Sequence, residues 1–166
     1  MDRSEMPHRR RIRRPVSFLA GVAVVALLSG CGLTVPTDPD GTLDSVTGGV
    51  LRVGTSPDGE LVEVSGDSPS GAIVDLVDRF ADSIDAETDW TVASEETLVK
   101  ELEAGELDLI AGGITPDTPW VDKAGVTRGY RGIEGAEGRE LVMLVPLGEN
   151  AFLSTLETFL DEEVGG

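Results

Sequence analysis

The chain has 166 residues, 31 acidic against 13 basic, and a formal net charge of −18. Binding nucleic acid requires cations to neutralise phosphates, so this balance excludes it as a partner. One histidine (His8) and one cysteine (Cys31) occur, which leaves little for thiol, imidazole or soft-metal chemistry.

The first element in chain order is an export signal. His8 and the arginines from Arg9 to Arg14 form a basic stretch, and Val16 to Gly30 is apolar and rich in small residues. That order of a basic and then an apolar region, too short for a relaxed membrane span of ~20 residues, reads as a signal segment. Leu28-Ser29-Gly30-Cys31 looks like a lipobox. The resemblance implies cleavage before Cys31 and a diacylglyceryl group on its sulfur, which would anchor the chain to the membrane outside the cytoplasm. A two-chain lipid holds durably where one chain is marginal. Six of the basic and two of the acidic residues lie before Cys31, which leaves 7 against 29 and a net charge of −22. The remainder also lacks histidine, and its one thiol would be blocked.

Gly32 to Gly49 is rich in Gly, Pro, Thr and Asp without apolar periodicity, so residues 31–49 are expected to be a flexible tether. From Val50 one folded lobe is expected, to residue 163. Val50–Ser56 alternates as a strand running into a loop, Leu61–Val64 reads as a short strand, and Gly66–Gly71 as a turn. Ile73, Val77 and Phe80, with Leu76 and Ile84 alongside, place an amphipathic helix over 72–84. Asp89–Ser94 reads as a strand. Ser94 is a suitable N-cap for a helix with Leu98 and Leu102 inward and Gly105 as its stop. Leu107–Gly113 and Arg139–Pro146 read as strands, and residues 150–163 as a helix with Phe152, Leu153, Leu156, Phe159 and Leu160 on one side. Strand, helix, strand, helix, strand with short connections predicts an α/β fold, a single open and mostly parallel sheet with flanking helices.

Ligands of such sheets bind beyond the carboxyl ends of the strands. Those ends are Thr55-Ser56, Gly112 to Thr115 and Thr127-Arg128. Four pieces, "LRVGTSPDG", "GAIVDLVDRFADSI", "ETLVKELEAGELDLIAGGIT" and "DTPWVDKAGVTRGY", together with the closing "VMLVPLGENAFLSTLETFL", resemble in order and spacing a family-3 extracellular solute-binding protein. That family delivers small polar solutes such as amino acids to ABC importers. The resemblance spans nearly all of residues 50–160 and implies one lobe of a type II periplasmic binding protein. Family members have two lobes; here only "RGIEGAEG" stands between Tyr130 and the return strand, too short for a second.

The resemblance implies a solute site at Ser56, Gly113, Thr115, Thr118, Trp120 and Arg128. Ser56, Thr115 and Thr118 would offer hydroxyls and Gly113 a backbone N–H. Trp120 would stack, and Arg128 would hold an anion. The family's "TPER" arginine is replaced by Thr118, which removes its bidentate carboxylate fork. Trp120 and Tyr130 are the aromatics near the expected cleft, as packing or as ligand contacts. The expected partners are a small polar solute, bound weakly by half a clamp, the permease of an ABC importer, and the membrane through Cys31. No cofactor and no metal are expected. The alternative is a regulatory module docking on a transporter or sensor, which an exposed apolar patch at Trp120, Tyr130 and Ile133 would mark. An enzyme would need a carboxylate pair such as Asp117 with Asp122 or Asp58 with Glu60, and no orienting partner is evident for either.

Overall fold

The computed structural model describes residues 37–165; the basic and apolar segment and Cys31 lie outside them. A five-stranded sheet is built from β1 (Val50–Thr55), β4 (Glu87–Val92), β5 (Leu109–Ile110), β6 (Ala124–Val126) and β7 (Leu144–Pro146), in the order β4-β1-β5-β7-β6. β1 pairs parallel with β4, Val50 opposite Glu87 through Thr55 opposite Val92, and parallel with β5 at Val53–Leu109 and Gly54–Ile110. β7 runs antiparallel to both β5 and β6. The sheet is therefore mostly parallel, with one reversed strand. A separate hairpin joins β2 (Glu63–Ser65) to β3 (Ser68–Ser70), so the expected turn is narrowed to Gly66-Asp67.

Both faces are covered, because alternate residues of each strand point to opposite sides. On one side Leu51, Val53, Leu109, Met143 and Val145 meet α2 (Ala72–Ser83) and α4 (Asn150–Glu163). There Phe80 stacks obliquely on Phe152 and Phe159, with ring centroids 5.9 and 5.4 Å away. On the other side Ile110, Val142 and Leu144 meet α3 (Glu95–Glu103) through Leu98, Val99 and Leu102. Gly54 permits this second contact: a Cβ there would lie 2.7 Å from Leu107 and 2.8 Å from Leu98. Ser94 caps α3 by accepting from Thr97 N–H at 3.4 Å, and Gly105, at φ +73°, ends it.

The expected tether is overturned for its described part, residues 37–49. Thr42–Val46 forms a short helix, α1, and Val46 is buried in the larger core. Two carboxylates clasp this segment to the C-terminal helix. Asp38 accepts from Leu43, Ala151 and Phe152 N–H, at 2.6 to 3.1 Å. Glu149, itself buried, accepts from Asp40 N–H at 3.0 Å and Thr42 N–H at 2.8 Å. Unpaired N–H groups of a helix start need such acceptors, and here each helix takes one from the segment before the other. Burial raises the Glu149 pKa, but the donors at Asp40 and Thr42 outweigh it and hold the carboxyl below its usual range.

Where a second lobe would leave and return, the chain closes on itself. Thr127 N–H donates to Met143 O, Met143 N–H returns to the Thr127 hydroxyl, and Tyr130 exchanges both backbone bonds with Leu141. The Arg131–Glu140 ion pair closes the neck, and residues 132–139 form a short loop. No helix among the described residues is long and apolar enough to cross a membrane.

Candidate functional site

A cavity of about 140 Å³ opens where β1 and β5 end. Its wall is Ser56, Pro57 and Asp58 after β1, Ile110 to Ile114 along and after β5, and Glu95 at the start of α3. The position follows from the topology: parallel neighbours turn into their loops on the same side, and the loops part to leave a crevice. Ser56 donates its hydroxyl to Ala93 O at 2.7 Å, tying the end of β1 to the end of β4. Its remaining lone pairs, and the backbone of Gly112 and Gly113, are the neutral polar groups of the wall. Its charged side chains are the carboxylates of Asp58 and Glu95.

Of the six residues expected at the site, two line this cavity, Ser56 and Gly113. Trp120 reaches it indirectly. Its indole N–H donates to the Glu95 carboxylate, and its ring packs on the α3 side of the sheet, with Lys123 Nζ 5.9 Å from the ring centroid. Thr115 and Thr118 lie beyond the wall. The Thr115 hydroxyl donates to Asp117; Thr118 is buried, and its hydroxyl has no partner among the described residues. Thr55, fully buried beneath Gly112, also has an unpartnered hydroxyl.

Arg128 is not brought to the cavity. Its guanidinium lies on α4, 2.7 Å from Asp161 and 3.2 Å from Glu157. The bond to Asp161 raises its pKa above the ordinary value. Two carboxylates one helical turn apart outcompete an open crevice for a flexible cation. Tyr130 is likewise a core residue, with its hydroxyl 3.2 Å from Glu157 O and from Asp161. Burial pushes its pKa up to about 12, which keeps it a neutral donor. With Tyr130 and Ile133 both buried, the exposed patch that would mark a docking module does not form.

Two residues at the cavity escaped the expected set. Asp58 forms an ion pair with Arg139 at 2.9 Å, and the pair lies over Gly113. Asp58 is therefore engaged with a cation rather than poised with Glu60 as a catalytic pair. The Asp58 and Arg139 signals are 81 positions apart, which no local pattern links. Glu95 stands in the first turn of α3, where an acidic side chain is favourable without any ligand and so gives no local signal of a site.

No protein-family model matches the chain, and no curated protein matches it. Solved structures do. Domain 1 of TmArgBP, as a point mutant in its arginine-bound form, aligns with a TM-score of 0.63 at 22% identity, over 72% of this chain and 96% of that one. This chain has the fold of one solute-binding-protein lobe. An ancestral arginine-binding protein bound to arginine aligns with a TM-score of 0.58 at 11% identity, covering 71% and 93% of the two chains. Truncated, arginine-bound ArgBP from T. maritima aligns at 0.53 and 15%, covering 68% and 95%. Each of these three chains is covered over more than nine-tenths of its length, which agrees with the closure of this chain at residues 127–143.

Proposed function

We propose that this protein is a membrane-anchored extracytoplasmic solute-binding lobe that works with an ABC importer, its anchor a lipid on Cys31. It takes a small polar solute in the crevice at the ends of β1 and β5. The observation that carries this reading is the cavity between Ser56, Gly113 and Glu95, at the place where ligands of open parallel sheets bind. The neighbours that bind arginine share the fold and support the same class of solute. The carboxylate of Glu95 in the wall, whose partner is the neutral Trp120 indole, favours a solute with a cationic group.

Binding is weak. A cavity of about 140 Å³ is well below the ~300–1,000 Å³ of sites that enclose their ligands, and one lobe leaves the other side of the solute in water. Thermal unfolding of the full chain in mild detergent, with L-arginine, L-lysine, neutral amino acids, sugars and organic acids, tests this. A solute that binds only the folded state raises the midpoint by mass action. The expected result is a rise with cationic amino acids at millimolar concentration and none with sugars. A flat response across all classes from a cooperatively unfolding protein sinks the reading, and a dissociation constant of micromolar or tighter sinks its weak-binding part.

A further inference from the structure

The ion pair at the Asp58 and Gly113 side of the cavity joins two loops. Asp58 belongs to the loop after β1, whose backbone is fixed by the exchange between Asp58 and Val62. Arg139 belongs to the loop that stands where a second lobe would be. Arg139 Nη1 is 2.9 Å from Asp58 Oδ2, and Arg139 Nε donates to Ala136 O at 3.2 Å. Beneath them is Gly113. A Cβ at that position would lie 1.6 Å from Asp58 Oδ2 and 3.3 Å from Arg139 Nη1, so only glycine leaves room for the carboxylate.

The wall of the site therefore already holds a carboxylate, Asp58, on a guanidinium beside it, and both belong to the protein. A guanidinium has five N–H donors in a planar fork. Two of Arg139's are used, one to fix its plane and one on Asp58, and the rest make no bond within the described residues. The pair is reachable: its side chains are 37% and 33% exposed, a setting in which an ion pair contributes little and exchanges readily.

We propose that Arg139 is the anion receptor of this site and that Asp58 is its internal occupant. A solute carboxylate binds by taking the place of Asp58 on the fork. This rests on the solute-binding reading above and narrows its solute to one that carries a carboxylate together with its cation. A polyamine or a sugar cannot make the exchange. The loop that replaces the second lobe thus supplies a contact to the solute, and Gly113 keeps the space in which the exchange occurs.

The test compares L-arginine with agmatine, the same cation without its carboxylate. Each is titrated calorimetrically into the full chain in detergent, and the readout is the ratio of the two affinities. The two compounds differ by one net charge, so a change in the field of the crevice also moves the ratio, and a charge-conserving variant separates fork from field. The wild type is expected to prefer arginine by ~10-fold or more, as a charge-assisted fork contact requires. Arg139→Ala should bring the ratio to about 1 or below, and Arg139→Lys, which keeps the charge and removes the planar fork, should lower it as well. Asp58→Asn, which removes the competitor and leaves the fork, should raise it by ~2–5-fold, the scale of an exposed pair. If both compounds bind and Arg139→Lys leaves the ratio unchanged, the exchange is wrong while the solute site stands. If neither compound binds the wild type or Asp58→Asn, the solute reading fails and the exchange with it.

Discussion

Replacing Asp38 by Ala is expected to destabilise the protein by about 2 kcal/mol, although Asp38 lies in a stretch whose composition is that of a linker. Loss of a single N-cap costs roughly 1–2 kcal/mol, and Asp38 accepts at the start of two helices, from Leu43 on one and from Ala151 and Phe152 on the other. Glu149→Ala should cost about as much, because it strands the N–H groups of Asp40 and Thr42 beside a buried position. The two losses should add to less than their sum, since either one frees the same segment and exposes Val46. Urea unfolding of the two single variants and the double variant measures this; two silent variants would return residues 37–49 to the status of a tether. The clasp also has a pH signature. The folded pKa of Glu149 is depressed from its ordinary 4.5, so its contribution is complete above that value and is lost as the pH falls through the folded pKa. Between pH 5 and pH 3 the wild type should therefore lose more stability than Glu149→Gln. Equal losses would show that the carboxylate is not held as its donors imply.

The helices were legible because their burial is periodic. Ile73, Val77 and Phe80 repeat at helical spacing and all three are buried; Leu98 and Leu102 do the same on α3. The mostly parallel sheet followed from the alternation of those helices with short apolar runs. The clasp was not legible. Its acceptors and donors lie more than 100 positions apart, and a run of Thr, Pro, Asp and Gly looks the same whether its backbone is solvated or capped. Within the site, proximity along the chain was a good guide only where the backbone itself forms the wall. Ser56 and Gly113 are such residues. Arg128 follows a strand end as expected, but a long side chain goes where carboxylates are, and α4 presents two. Arg139 gives no such signal for the converse reason: it sits in the short loop after Tyr130, and Asp58 draws it to the Gly113 side of the cavity.

The other large effect is expected at the opposite ends of the same strands. Asp108, just before β5, is buried and accepts from Arg52 three times: from its backbone N–H and Nε at 2.9 Å and from Nη2 at 2.5 Å. Asp108 N–H in turn donates to Arg52 O at 2.9 Å. The carboxylate therefore locks β1 to β5 at the edge where their ladder begins. Breaking a fully buried pair costs ~3–5 kcal/mol. The Arg52 side chain is 41% exposed and recovers water, so Asp108→Ala is expected to cost about 2–3 kcal/mol, most of it from the unpaired N–H of Arg52. Asp108→Asn should cost less, since the amide oxygen still accepts from that N–H. Both changes lie away from the cavity, so affinity per folded molecule should be unaltered. Arg139→Ala should behave in the reverse way, with little loss of stability and a large loss of selectivity. Urea midpoints set beside calorimetric affinities separate the two classes. If Asp108→Ala weakened solute binding in a sample still fully folded, the two ends of β1 and β5 would be coupled, and the site could not be treated as loops resting on a rigid sheet.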